Sequence, residues 1–179
     1  MKQTKNLVTA GMCVALGIVL PLAFHMIPDA GKVFLPMHIP VLLCGLLCGP
    51  FYGLGCGILA PLLSHLITGM PPTAMLPSML CELAAYGLLS GVLIRVVQTK
   101  WNLANLYTAL IGAMICGRII NGALNALIFN AGQYSLQLWL TASFVKAIPG
   151  IVIQLALIPV LILALQKARL ADRTGVPSV

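Results

Sequence analysis

Charge of either sign is scarce in this chain. Its 179 residues include ten Lys/Arg and three acids, Asp29, Glu82 and Asp172, so charged residues make up 7%. A soluble domain carries about 25% charged residues, and so few charges cannot keep a globule of this size wet. Disorder is excluded as well, because it needs low hydrophobicity and high charge, whereas 60% of these residues are hydrophobic. Aromatic residues reach only 6%, which disfavours a large ring system needing several stacking platforms. Catalytic signatures are also missing. There is no Walker loop and no metalloprotease motif, nor a recognisable Ser/His/Asp set. Cys13, Cys44, Cys48, Cys56, Cys81 and Cys116 form no Cys-x-x-Cys pair and no zinc-spaced cluster. They read as small reduced hydrophobes inside helices. No inverted repeat of the kind common in secondary transporters is visible.

What the chain has in abundance is apolar sequence. A spanning helix needs about 20 mostly apolar residues. Six candidates follow, at roughly 7–27, 35–49, 52–68, 74–95, 103–128 and 141–166. The expected fold is therefore an all-α integral membrane protein of six transmembrane helices, forming one domain over residues 1–179. The second and third spans are short, and Pro36, Pro40 and Pro61 favour kinks there. The lysines before the first run resemble a signal peptide. That run is longer than a signal's apolar region and lacks a clear cleavage site, so it is read as a retained helix.

The net charge of +7 does not point to nucleic acid. Lys2, Lys5, Arg95, Lys100, Lys167, Arg169 and Arg173 lie at or beyond the ends of apolar stretches on one side, against Lys32 alone on the other. The positive-inside rule then places both termini in the cytoplasm.

Small residues recur four apart. Gly45, Gly49, Gly53 and Gly57 do so, as do Gly87 with Gly91 and Gly11 with Ala15. This spacing lets helix backbones approach closely in lipid. It serves either internal packing or, for Gly11 and Ala15, docking onto another membrane protein.

Ionisable groups at bilayer depth are costly and mark function by default. Glu82 lies ~12 Å into the fourth span from its outer end and Arg118 ~15 Å into the fifth. Lys146 sits near the outer end of the sixth. Arg118, Asn121 and Asn125 share one helix face, as do Met75, Met79, Glu82 and Tyr86. Ser64, His65 and Thr68 end the third span, while Gln137 and Trp139 precede Lys146. These groups collect at one membrane level, which favours an outward pocket. The alternative is that Glu82 and Arg118 merely pair to hold two helices and the asparagines serve as interhelical glue. The connection through Gly69, Met70, Pro71 and Pro72 is either a tight turn or a gate with a hinge and a stiff flap.

The stretch Leu35-Pro-Met-His-Ile-Pro-Val-Leu-Leu-Cys-Gly-Leu-Leu-Cys-Gly49-Pro50, then Tyr52-Gly53, Gly57, Pro61-Leu-Leu-Ser64, Thr68-Gly-Met-Pro-Pro72, Glu82-Leu and Tyr86-Gly87 resembles the substrate-binding S components of energy-coupling factor (ECF) transporters. The motifs cover 35–91, and the size and helix layout extend the likeness over most of the chain. The resemblance implies a six-helix subunit of a prokaryotic cell membrane that captures a vitamin or vitamin precursor on the outer side. It implies partners too: a transmembrane coupling protein and two cytoplasmic ATPases. Such proteins commonly dock through Ala-x-x-x-Ala on the first helix. Here the matching place reads Gly11-Met-Cys-Val-Ala15, which keeps the small-xxx-small geometry. The family pocket lies among outer helix ends, which agrees with Glu82, Arg118, Asn121 and Asn125 beneath the 69–73 loop, with His65, Met79, Tyr86 and Lys146 as further ligand contacts. Arg118 and Lys146 suit a carboxylate, and Glu82 suits hydroxyl or amide donors or neutralises Arg118, so a small anionic vitamin such as pantothenate leads, with a pyrimidine precursor, folate or a queuosine precursor as alternatives. No cofactor, metal or catalytic residue is expected. Two other readings stay open: a stand-alone solute channel or facilitator, and a membrane-embedded enzyme using Glu82 and His65.

Overall fold

The computed structural model describes residues 2–23, 33–97, 102–129 and 135–167. The regular elements among them are all helical. Helix α1 is Lys2–Ala23, α2 is His38–Cys48, α3 is Pro50–Thr68, α4 is Leu76–Val96 and α5 is Asn102–Leu124. A π turn, Asn125–Phe129, prolongs α5. A short α6, Leu136–Leu140, runs into a second π turn, Thr141–Val145, and α7 is Ile148–Lys167. Five helical stretches, including α5 with its π turn and Ser143–Lys167, are long and apolar enough to cross a bilayer.

The second expected span is shorter than anticipated. It has 11 residues, or roughly 16 Å at 1.5 Å each, about half a bilayer core. The apolar run from 35 to 49 hides its true start, because Leu35, Pro36 and Met37 form a turn rather than helix. Leu35 sits at a positive φ of 50°, and its carbonyl accepts the His38 N–H at 3.1 Å. At the other end Gly49 takes φ 101°, a conformation that L side chains avoid. Pro50 opens α3 immediately after it, a position where the missing N–H costs nothing. The chain thus turns back over one residue. A side chain at Gly49 would also strike the Arg95 guanidinium, with Cζ only 2.8 Å from an added Cβ.

Nearly every residue of α2 is buried. A helix that is apolar all round belongs in the centre of a fold, and α2 packs against α1, α3, α4 and α7. The α2–α3 hairpin meets α4 at glycines. A Cβ on Gly53 would lie 2.7 Å from the Gly45 Cα and would overlap the Gly87 carbonyl, and one on Gly91 would lie 2.5 Å from the Pro50 nitrogen. The buried stripe of α4, Leu83, Tyr86, Gly87, Ser90, Gly91 and Ile94, has the helical spacing that this contact needs. The glycine series therefore packs helices internally, and its two halves face each other across Gly49.

Buried thiols fill part of the α1–α2–α3 junction. Cys44 contacts the thiols of Cys13, Cys48 and Cys56, and all six cysteines are free. Among the described residues no set of His, Cys, Asp or Glu is arranged to hold a metal ion. Around the core the surface is apolar, with large side chains such as Phe51, Leu127, Val96 and Leu66 exposed, as lipid contact requires.

One buried polar group lies outside this logic. Gln154 of α7 is fully buried, and among the described residues neither its Oε1 nor its Nε2 has a hydrogen-bond partner. Leaving such a group unsatisfied costs about 1–3 kcal/mol. Gln154→Leu is therefore expected to raise the Tm of the detergent-purified protein by several degrees. A lowered Tm would show that the amide is satisfied in the folded protein.

Candidate functional site

Helices α4 and α5 face each other with complementary polar stripes. Glu82 and Tyr86 lie one turn apart on α4, while Arg118, Asn121 and Asn125 follow on α5. Gly117 brings the two helices close here, because any side chain at that position would overlap the Tyr86 ring. With the ring against α5, Arg118 Nε donates to the Tyr86 hydroxyl at 2.9 Å. One turn further, Asn121 Nδ2 donates to Glu82 Oε2 at 2.6 Å. Asn125 Nδ2 donates to the Asn121 carbonyl at 2.9 Å and to its side-chain oxygen. Glu82 and Arg118 thus do not close on each other, since each is held by a neutral partner.

Two further elements complete the cluster. His38, the first residue of α2, is 3% exposed. Its ring packs edge-on against Tyr86, with centroids 5.3 Å apart, and its Nε2 lies 3.9 Å from Glu82 Oε1. On the other side the Trp139 indole N–H donates to the Arg118 carbonyl at 3.1 Å. Gly122 makes room for it, since a Cβ there would meet the indole Cε2 at 2.7 Å. Trp139 packs edge-on against Phe144 at 5.5 Å, and the Arg118 guanidinium lies 5.5 Å from the centre of the Phe144 ring, within cation–π range. Asn125 and Phe144 belong to the two π turns, features that recur at functional sites.

The cluster is incompletely satisfied. Arg118 is 3% exposed, yet among the described residues its Nη1 has no partner, and both ring nitrogens of His38 lack one. These orphans share the neighbourhood of Tyr86.

The other expected site residues fall elsewhere. His65 turns to the α3–α4 connection, where its Nδ1–H donates to the Pro71 carbonyl at 2.7 Å. Gly69 caps α3 in the left-handed region at φ 72°, and the Met70 N–H reaches Thr68 Oγ1 at 3.2 Å. The Pro72 carbonyl accepts the N–H groups of Met75 at 2.9 Å and Leu76 at 3.1 Å. The 69–72 turn is thus tied at both ends. Met79 is half-buried and packs on the hydrophobic core. Lys146 is exposed and makes no side-chain contact with the cluster among the described residues. Its backbone N–H closes the second π turn on the Thr141 carbonyl at 2.9 Å. Gly11 and Ala15 are exposed on α1, and a Cβ on Gly11 would meet nothing within 4 Å. His38 and Phe144 are not among the expected site residues, and Trp139 enters the sequence reading only as a residue preceding Lys146. The available signal for His38 was a lone polar side chain between Pro36 and Pro40 in an otherwise apolar run.

Long apolar helices around a buried, aromatic-walled polar cluster define a multi-pass membrane protein. The family model for ECF transporter, substrate-specific component, matches residues 5–162, and the chain belongs to that family. Neither the curated proteins nor the solved structures returned a match. Family membership makes this chain the substrate-binding subunit of an ECF importer, a transport subunit rather than an enzyme. It also implies a transmembrane coupling component and ATPases as partners and a small molecule as substrate.

Tyr86 is the centre of the cluster, and its hydroxyl is the partner of Arg118 Nε. Tyr86→Phe is expected to destabilise the protein by about 1–3 kcal/mol, the cost of an orphaned buried donor. In the Arg118→Met background the same change should cost much less. Unfolding of the two single variants and the double variant measures this coupling, and additive losses would show that the bond contributes nothing.

Proposed function

We propose that the cluster of Glu82, Tyr86, Arg118, Asn121 and Asn125 is the substrate pocket, and that its ligand is a small anionic vitamin or vitamin precursor, with pantothenate as the leading chemistry. The supporting observation is Arg118. Its guanidinium keeps its charge under all ordinary conditions. It is almost fully buried, Glu82 is engaged by Asn121, and Nη1 is without a partner among the described residues. A ligand carboxylate supplies the acceptor that Nη1 lacks among the described residues. Phe144 lies 5.5 Å from the guanidinium, with Trp139 packed edge-on against it.

In this reading five helices cross a prokaryotic cell membrane and α2 reaches through about half of it, both termini are cytoplasmic, and the pocket opens outward. The 69–72 turn closes over it, with the His65–Pro71 bond as its latch. Gly11 and Ala15 form the docking stripe for the coupling protein. They lie four apart, exposed, on the helix that the fold covers least, and small residues at this spacing admit a close partner helix in lipid.

Two measurements test these assignments. Arg118→Gln should weaken pantothenate binding about 10–150-fold by calorimetry, the worth of a charged hydrogen bond, while the protein still elutes as a single species. Unchanged affinity would return Arg118 to a helix-packing role. Gly11→Leu and Ala15→Leu should each abolish co-purification with the coupling protein and ATPases and leave pantothenate binding intact. Normal assembly of both variants would move the docking surface elsewhere.

A further inference from the structure

The Glu82 carboxylate and the His38 imidazole face each other without bonding. Glu82 Oε2 is taken by Asn121 at 2.6 Å, which turns Oε1 toward His38 Nε2 at 3.9 Å. That separation is too long for a hydrogen bond. Regarded as an ion pair it sits at the outer limit, and among the described residues it leaves His38 Nδ1 unpartnered as well. An imidazole that is 3% exposed with both nitrogens orphaned costs stability with no structural return. Packing does not explain it either, since a phenylalanine would fill the same edge-on contact with Tyr86 at lower cost. What the pair does offer is one acceptor and one switchable donor or acceptor, a short gap apart.

We propose that His38 and Glu82 together read a hydroxyl group of the anionic ligand. This rests on the assignment of the cluster as the ligand site. A hydroxyl is the small group that donates and accepts at a single atom. Its oxygen can stand ~2.8 Å from each side chain, donating to Glu82 Oε1 and accepting from an imidazole N–H. A carboxylate placed there would be repelled by Glu82, and a methyl group would leave both partners orphaned. Discrimination by a site built to bond a hydroxyl is steep, because rejecting it leaves buried polar groups unpaired. Tyr86 sets the distance between the two recognition points. Its hydroxyl holds Arg118 and its ring meets His38 edge-on. The ligand class is thus a hydroxy-carboxylate whose two groups lie about one tyrosine side chain apart. His38 is the specificity-determining residue, and Arg118 is the anion anchor.

Calorimetry on the purified full chain separates these roles with three probes. Pantothenate carries both groups, pantothenol lacks the carboxylate, and N-butanoyl-β-alanine keeps the carboxylate but lacks the hydroxyls. The wild type should bind pantothenate at least about tenfold more tightly than either analogue. His38→Ala should lower pantothenate affinity at least about tenfold and leave N-butanoyl-β-alanine within about twofold of its starting value. His38→Phe preserves the ring contact with Tyr86 and should give the same loss of hydroxyl preference, so a folding defect in the alanine variant does not decide the matter. Arg118→Gln should instead erase the preference for pantothenate over pantothenol. If the His38 variants weaken both carboxylates equally, or neither, hydroxyl reading by His38 is wrong while the anion anchor stands. If the wild type binds none of the three, both the pocket chemistry and this inference fall.

Discussion

Backbone-to-backbone contact between the α2–α3 hairpin and α4 is the constraint on which the rest depends. In lipid, apolar side chains gain little by leaving the bilayer for another helix. Close packing must supply the attraction, and closeness needs the absence of side chains. Gly45, Gly53, Gly87 and Gly91 provide it, with the one-residue corner at Gly49 holding the hairpin shut. Because the seam fixes α4 in rotation, the adjoining face that carries Glu82 and Tyr86 has one direction to point, toward α5. A larger residue in the seam would turn α4 about its axis and misdirect Glu82 and Tyr86 in the polar cluster.

The polar cluster rests on that geometry in turn. It spends its hydrogen bonds economically. Arg118 to Tyr86 and Asn121 to Glu82 tie α4 to α5, while Trp139 fastens α6 to the Arg118 backbone. Those bonds leave Arg118 Nη1 without a partner among the described residues. A purely structural cluster would be expected to close completely, since lipid offers no water to meet what remains. On the proposed assignment the same side chains serve as glue and as receptor, and the two roles are not exclusive alternatives.

Much of this was legible in the residues alone. Scarcity of charge fixed the class of protein, and the 3–4–7 spacing of Arg118, Asn121 and Asn125 placed them on one face. The Glu82–Tyr86 face was legible for the same reason, because Glu82, Tyr86, Arg118 and Asn121 all lie in regular helix. Regularity failed where the rest was missed. The second π turn closes with the Lys146 N–H on Thr141, five residues back, which adds a residue to the turn and shifts everything after it. Within the turn Phe144 faces Arg118, and just beyond it Lys146 is left exposed. The start of α2 was hidden for a different reason. Leu35 and Met37 are as apolar as the helix that follows, and nothing in hydropathy marks the turn that sets His38 at its tip.

The shortness of α2 has a geometric outcome. From the common corner at Gly49, α3 rises through 19 residues and α2 through only 11, a difference of roughly 12 Å in height. α2 is therefore a pedestal standing among taller columns, and His38 is its capital. On the proposed assignment, a ligand entering the cluster would meet His38, at the tip of α2, as a floor, with Tyr86 and Arg118 beside it. A floor senses how far a guest descends, whereas walls sense its girth. Length, and not only width, would then be a criterion for admission.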